Sequence, residues 1–142
     1  MKRLLAIALL PAVMLAVAQV PSVQPVMPES LRWSSPPTIP GLKGAWLLGA
    51  ENEPGTYVQR VILAAGARIP AHTHPDTRYS TVLSGTLYVA FGTKPADADF
   101  VAVPAGALYV APAGQAHTLW ARDDEVVYQE AGNGPTGTTL LN

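Results

Sequence analysis

Residues 66–85 read GARIPAHTHPDTRYSTVLSG, and residues 106–121 read GALYVAPAGQAHTLWA. Together these stretches hold all three histidines of the chain, with His72 and His74 as a close pair and His117 far along the sequence. On one extended strand His72 and His74 point to the same side, with backbones roughly 6.5–7 Å apart. Their ring nitrogens can then lean to ~2.1 Å from a shared ion, and His117 can join from a second strand. The pattern indicates a site for one divalent metal ion.

A His-x-His pair on its own has a simpler interpretation, which is two hydrogen-bonded histidines of the surface or core. His117 favours the metal site, because with it every histidine of the chain belongs to one set of possible ligands. Imidazole ligands suit several ions, so iron, manganese, nickel, copper and zinc all stay open.

The spacing of the glycines, histidines and proline in both stretches resembles the two motifs of the cupin family. The first motif is Gly-x5-His-x-His-x3 or 4-Glu-x6-Gly, and the second is Gly-x5-Pro-x-Gly-x2-His-x3-Asn. Of these ten positions eight match, and the two departures are Arg78 for the glutamate and Ala121 for the asparagine. The resemblance implies an all-β jelly-roll barrel whose metal ligands are the three histidines, and it allows a homodimer.

The strand pattern independently predicts an all-β sandwich or barrel. A short helical turn is predicted between Lys94 and Asp99. Gly132-Asn133-Gly134-Pro135 predicts a tight turn into a last polar strand, not a ligand loop. Segments rich in β-branched and aromatic residues predict strands at 45–48, 57–63, 79–83, 86–91, 107–111, 118–120 and 125–130.

Length and composition exclude several classes of protein. The chain has 142 residues, which is the size of one domain. Its net charge is -1, and no basic run follows Lys2-Arg3, which argues against nucleic acid or an anionic membrane surface as partner. With no cysteine it has neither disulfides nor a thiol nucleophile, and it lacks phosphate-loop and Gly-x-Ser-x-Gly motifs.

The N-terminal region divides into two predicted segments ahead of the barrel domain, residues 45–142. Residues 1–18 resemble a signal peptide that ends at the small side chains of Ala16-Val17-Ala18, which predicts a periplasmic or secreted protein without a stable membrane anchor after cleavage. The alternative is an uncleaved anchor, but the apolar stretch is short and contains Pro11. Residues 19–44 form a proline-rich arm, either a flexible tether or an extended strand across a partner subunit.

Arg78 stands where the family has its glutamate, and a guanidinium cannot ligate a cation. Pointing inward, it would raise the positive potential around the ion and favour a small anionic ligand; pointing outward, it would pair with a surface carboxylate. Asp76 is the nearest carboxylate and a candidate fourth ligand. Replacing Arg78 by glutamate is expected to restore a four-ligand site that holds metal more tightly and anions more weakly.

Gln129 is a polar residue in the apolar segment 125–130. If it faces the interior together with Val127, its amide can hydrogen-bond a metal-bound water or a substrate oxygen; otherwise it satisfies a neighbouring backbone group. The resemblance implies a metal-dependent, dioxygenase-like oxidoreductase acting on a small anionic or enolisable substrate, and the leader sequence adds that it is exported. A cupin isomerase or lyase, or a non-catalytic ligand- or metal-binding barrel, are the alternatives.

Overall fold

A computed structural model describes residues 24–141, so the predicted signal peptide lies outside the described residues. This part of the chain is all-β, apart from 3₁₀ turns at Pro28–Ser30 and Asp97–Asp99, the second at the predicted helical turn. In the described range, neither turn approaches the length or apolar content of a membrane-spanning helix. The ten strands are β1 (Leu42–Leu48), β2 (Gly55–Leu63), β3 (Arg68–Thr73), β4 (Arg78–Ser84), β5 (Thr86–Phe91), β6 (Val101–Pro104), β7 (Leu108–Ala111), β8 (His117–Trp120), β9 (Val126–Gly134) and β10 (Thr139–Leu140).

The strands form two antiparallel five-stranded sheets, in the orders β1-β2-β9-β4-β7 and β10-β3-β8-β5-β6. One apolar core lies between them, because inward side chains alternate with outward ones along each strand. It includes Val61, Val82 and Tyr128 from the first sheet and Leu87 and Leu119 from the second. The all-β jelly-roll barrel expected from the sequence is confirmed.

All seven predicted strands are present, and β9 is longer than expected. It continues to Gly134, which pairs with Gly55, so the prediction of a tight turn at 132–135 is wrong. The reason is a close approach: a Cβ at Gly132 would collide with the side chains of Asp76 and Tyr57. Glycine is needed there to make room, not to turn the chain.

The described part of the proline-rich arm packs on the barrel of its own chain. Ser34 and Gly44 form an antiparallel bridge with reciprocal backbone hydrogen bonds of 2.9 Å. Ile39 is buried in the core cluster. Residues 34–39 are therefore held against β1 and the core of the same chain.

The motif glycines Gly66 and Gly85 both have positive φ, but only Gly85 is also sterically confined. A Cβ on Gly85 would lie 2.5 Å from the backbone oxygen of Glu125, whereas one on Gly66 meets nothing within 4 Å. We expect Gly66→Ala to cost about 1–3 kcal/mol from backbone strain alone, and Gly85→Ala to cost distinctly more. Urea unfolding of the two variants measures the difference; equal losses would contradict the steric part of the explanation.

Candidate metal centre

The three histidines meet on one side of the space between the sheets. His72 lies on β3 and His117 begins β8, where the two are direct partners in the antiparallel register. His74 is the residue directly after the end of β3. All three are buried, with ring centroids 4.2 Å apart for His72 and His117, 4.8 Å for His72 and His74, and 5.1 Å for His74 and His117. One ligand atom from each lies within 4.8 Å of the others.

Each imidazole is oriented by a backbone carbonyl. The Nδ1 atom of His72 lies 2.7 Å from the Pro70 oxygen, that of His74 lies 2.7 Å from the Gly137 oxygen, and that of His117 lies 3.0 Å from the Gln115 oxygen. A carbonyl only accepts hydrogen bonds, so each Nδ1 carries the proton and each Nε2 keeps its lone pair. Three neutral imidazoles with available Nε2 atoms fit one divalent ion after small rotations of the rings.

Burial keeps these imidazoles neutral. It lowers the pKa of His72 to about 3, with a further contribution from the neighbouring His117. Burial also lowers the pKa of His74 to about 3, and the Arg78 guanidinium adds to the effect. The pKa of His117 falls below its ordinary value for the same first reason, burial. Protons therefore do not compete for these nitrogens near neutral pH.

We expect the metal-free protein to lose stability between pH 6.5 and pH 5. Unfolded histidines take up protons in this range, whereas folded His72 and His74, with pKa values of about 3, do not. The unfolded state then binds more protons than the folded state. The free energy of unfolding therefore decreases as the pH is lowered, by up to about 1.4 kcal/mol per pH unit per histidine. Urea unfolding of chelator-treated protein at several pH values measures this, and a midpoint unchanged from pH 7.5 to 5 would contradict it.

Arg78 points inward, so the alternative of an outward-facing residue is wrong. Its side chain is 6% exposed and donates from Nη1 to Glu130 Oε2 at 3.0 Å. Its Nη2 donates to Thr136 Oγ1 at 2.9 Å and to the Gly137 oxygen at 3.1 Å. That Gly137 oxygen also accepts from His74, so a single carbonyl joins the arginine to one of the candidate metal ligands.

Asp76 is occupied by hydrogen bonds and is not part of the histidine cluster. Its Oδ2 accepts from Tyr57 Oη at 2.6 Å, and its Oδ1 accepts from Thr136 Oγ1 at 2.5 Å. Burial, and then this bond to Asp76, raise the pKa of Tyr57 to about 12, so the phenol stays a donor. The structure therefore does not place Asp76 as the fourth ligand that the sequence suggested.

The positive potential expected from an inward Arg78 is balanced in the structure. Glu130 pairs with the guanidinium, and Asp76 Oδ1 lies 3.9 Å from Arg78 Nε. The arginine thus takes the place of the family's glutamate while a carboxylate arrives from another strand, β9. Together Arg78, Glu130 and Asp76 contribute one net negative charge, so the expectation that an inward Arg78 raises the positive potential around the ion is wrong.

Gln129 lies on the face of β9 away from the histidines, which corrects the suggestion that it faces the interior. Its Oε1 accepts from Arg60 Nη2 at 2.6 Å, between directly opposed residues of β2 and β9. The inward residues of β9 are instead Val126, Tyr128 and Glu130. The sequence analysis did not identify Tyr128 and Glu130. Side chains of β9 alternate between the two faces of the sheet, and the register of β9 with β2 shows that these two residues are on the inward face.

A cavity of about 410 Å³ opens beside the histidines. Its polar wall includes His72, His74, Arg78, Tyr128 and Glu130, and its apolar wall includes Leu42, Val61, Ile69 and Leu140. This volume falls in the range of small-molecule sites, roughly 300–1,000 Å³. The cavity therefore has room for a small organic molecule beside His72 and His74.

Comparison with known proteins agrees with this architecture. The sequence profile of the Cupin_2 family, described as a cupin domain, matches residues 59–128, about half of the chain. No curated protein sequence shows a match. A polyketide cyclase, RemF from Streptomyces resistomycificus, has a similar fold with a TM-score of 0.68 and 13% identity, over 84% of this chain and 87% of the cyclase.

Two further solved structures have the same fold. The DMSP lyase DddQ from Ruegeria pomeroyi is similar with a TM-score of 0.66 and 17% identity, over 80% of this chain and 62% of the lyase. A cupin-2 domain from Rhodospirillum rubrum is similar with a TM-score of 0.65 and 15% identity, over 84% of this chain and 80% of that domain. The barrel, both motif stretches and the family profile agree, and the chain is a small cupin.

Proposed function

We propose that this cupin is an exported metal-dependent oxidoreductase, dioxygenase-like, that acts on a small anionic or enolisable organic substrate at its three-histidine centre. One observation carries the proposal: three neutral imidazoles, each held by a backbone carbonyl through Nδ1, form one cluster, and two of them, His72 and His74, line a cavity of about 410 Å³. His72, His74 and His117 would hold the ion. Three protein ligands leave coordination positions for other molecules, as catalytic metal sites require.

A bound divalent ion would polarise a substrate oxygen and, if redox-active, support oxidation by O₂. The chain's own residues supply the remainder of the site. His72 and His74 face the cavity, and the Arg78 and Glu130 side chains form a fixed charged wall beside them. The apolar residues Val61 and Ile69 line the same cavity and exclude water from that side.

Glu130 favours a second candidate, a cupin lyase or isomerase. Its buried carboxylate lines the cavity, where it could move a proton on a substrate activated by a metal acting as a Lewis acid. The fold also occurs in proteins described as a polyketide cyclase and a DMSP lyase, and neither name denotes an oxidation. This reaction would need no O₂, so oxygen dependence separates it from the first candidate.

Elemental analysis of the purified protein, followed by turnover assays with and without O₂, tests the proposal. Stoichiometric iron, manganese, nickel or copper together with substrate-dependent O₂ uptake would support the oxidoreductase. Turnover that continues without O₂ would support the lyase or isomerase instead. Metal binding without turnover of any β-dicarbonyl, phenolic or carboxylate compound would support a non-catalytic binding barrel, and no metal at all would overturn the metal centre.

Export and dimer formation belong to the same proposal. Ala16-Val17-Ala18 predicts a mature chain that begins at Gln19, which the intact mass of protein recovered from the periplasm or medium would check. Retention of residues 1–18 would contradict export by cleavage. A homodimer agrees with the exposed apolar side chains of Tyr79, Leu108 and Val110 on β4 and the neighbouring β7. Sedimentation equilibrium showing only monomers would rule the dimer out.

A further inference from the structure

The three histidines of the metal centre are oriented in two different ways. His72 and His117 each donate from Nδ1 to a backbone carbonyl two residues earlier in the chain. His74 donates instead to the carbonyl of Gly137, which is 63 residues away along the chain. The direction of the His74 ring therefore depends on a tertiary contact, whereas the other two rings are directed by local structure.

The Gly137 carbonyl is not part of a strand ladder. Residues 136–138 lie between β9 and β10 and belong to neither. Glycine has the widest choice of backbone conformations, so the direction of this carbonyl has to be fixed by its contacts. Thr138 Oγ1 also lies 3.5 Å from His74 Nδ1, at the outer limit of a hydrogen bond, so the Gly137 oxygen at 2.7 Å is the principal partner of the ring.

Arg78 holds this segment from its other side. Its Nη2 donates to the Gly137 oxygen at 3.1 Å and to Thr136 Oγ1 at 2.9 Å. Its Nη1 donates to Glu130 Oε2 at 3.0 Å, which anchors the guanidinium to β9. Because a guanidinium is planar and its donors have a fixed relative geometry, this buried fork determines where residues 136 and 137 lie. A carbonyl oxygen has two lone pairs, so it can accept from Arg78 and His74 together.

The main chain of His74 is fixed separately from its ring. The His74 carbonyl oxygen accepts from the backbone N–H of Gly114 at 2.8 Å. The preceding strand, β3, is paired with β8 on one side and β10 on the other. Loss of the contact with Gly137 would therefore free the ring to rotate about its side-chain bonds while the strand keeps its place. The effect should be specific to the His74 ring.

We infer that Arg78 is a positioning residue of the metal centre: it holds the Gly137 carbonyl, and this carbonyl directs the Nε2 atom of His74 toward the ion. Where the cupin pattern has a glutamate ligand, this chain therefore has a side chain that orients a ligand. The inference rests on the proposed function because it takes His74 as a metal ligand. The order of the His74 ring can nevertheless be measured in metal-free protein.

Proton exchange at the histidine rings tests the inference in the metal-free, full-length protein. Nuclear magnetic resonance with isotope-labelled histidine follows the proton on each Nδ1 atom. The test variant combines Arg78→Met with Glu130→Gln, which removes the donors and also the carboxylate that would be left unpaired. We expect the His74 proton to exchange about tenfold faster than in wild type, as for the loss of one hydrogen bond, and the protons of His72 and His117 to exchange as before.

Cobalt(II) affinity of the same protein is the second measurement. Loss of a group that supports a metal ligand typically costs roughly 10–100-fold in metal affinity, so the double variant should bind cobalt at least about tenfold more weakly than wild type. One cation and one anion are removed together, so the net charge of the protein does not change. The cobalt absorption spectrum should shift as well, because it responds to the position of the ligands.

Two controls separate positioning from a general loosening of the fold. Tyr57→Phe removes the hydrogen bond of 2.6 Å to Asp76 in the same buried network but no contact of Gly137. Glu130→Gln alone keeps Arg78, and its amide oxygen can still accept from Nη1. Both controls should show the ring exchange of the wild type. Equal acceleration at all three histidines in the double variant would indicate loosening and would overturn the inference.

Arg78→Lys keeps the test decisive where the double variant does not fold. Lysine retains the charge beside Glu130, but its single nitrogen cannot reproduce the planar fork. We expect exchange of the His74 proton and cobalt affinity to lie between those of the wild type and the double variant. Exchange and affinity equal to wild type in Arg78→Lys would then overturn the inference.

The results also distinguish this inference from the function on which it rests. Failure of the wild-type protein to bind cobalt would overturn the metal centre, and the positioning of a ligand with it. Stoichiometric cobalt together with unchanged His74 exchange in the double variant would overturn only the role of Arg78. Faster exchange without weaker cobalt binding would overturn that role too, because the ring would then reach the ion without Arg78.

Discussion

Alanine at His72 or at His117 is expected to abolish stoichiometric metal binding. Each change removes one of three nitrogen ligands, and no carboxylate belongs to the described cluster that could replace it. Loss of a group that only hydrogen-bonds a metal ligand typically costs roughly 10–100-fold in metal affinity, so loss of a ligand itself should exceed about 100-fold. Competition with a chromophoric chelator, combined with elemental analysis after dialysis, measures the change.

The matched control for this prediction is Thr73→Ala. Thr73 lies between His72 and His74 on the chain, and its side chain points to the other face of the strand. It should therefore retain a full equivalent of metal with nearly unchanged affinity. Unchanged stoichiometry in both His72→Ala and His117→Ala would place the ion elsewhere in the molecule.

Arg78→Met is expected to be among the most destabilising single substitutions in this barrel. The change leaves the Glu130 carboxylate, whose side chain is 7% exposed, without its 3.0 Å partner. Removing one member of a buried ion pair typically costs about 3–5 kcal/mol. Urea unfolding at pH 7 measures the loss, and a loss below 1 kcal/mol would show that the pair contributes little to the folded state.

A double variant, Arg78→Met with Glu130→Gln, provides the control for charge. It removes the orphaned carboxylate, so it should be more stable than Arg78→Met alone. The structure adds a consequence to the sequence-based expectation for Arg78→Glu. That change would gather three carboxylates at positions 76, 78 and 130, so destabilised metal-free protein is expected, not simply a restored four-ligand site.

The fold was predictable because its signals are local and repeated. The Pro-Ala-Gly turns and the β-branched segments predict where the strands lie. The glycines and histidines of both motifs carry the resemblance to cupins, which predicts how those strands form a jelly-roll barrel. Strand β6 was missed because Val101–Pro104 is short and ends in proline, which is tolerated at the sheet edge where this strand lies. The same two motifs also predicted correctly that the three histidines lie close together.

The inward face of β9 was less predictable, because a strand with apolar residues on both faces does not show which of them points into the core. Val126 and Val127 are adjacent, so the sequence does not reveal whether odd or even positions face inward. A shift of one residue exchanges the two faces. The polar residue expected in the interior was Gln129, whereas its neighbour Glu130 occupies that position.

Hydrogen bonds to main-chain atoms are even harder to predict from a sequence, because any residue type can provide them. Gly137 has no side chain to attract notice, yet its carbonyl oxygen accepts hydrogen bonds from both His74 and Arg78. Thr136 likewise joins Arg78 to Asp76 from a segment that follows the last long strand. Only the pairing of distant strands brings residues 136 and 137 back to the centre.

The same Gly137 carbonyl has a consequence for the order in which the protein matures. The segment that orients His74, together with β10, which pairs Leu140 with His72, follows in the chain every residue that it contacts around the centre. A nascent chain emerging from its N-terminal end can close the earlier strand pairs first, but it cannot fix His74 until this final segment has been released. Acquisition of the ion should therefore be one of the last events in the biogenesis of this cupin, after translation of the barrel is complete.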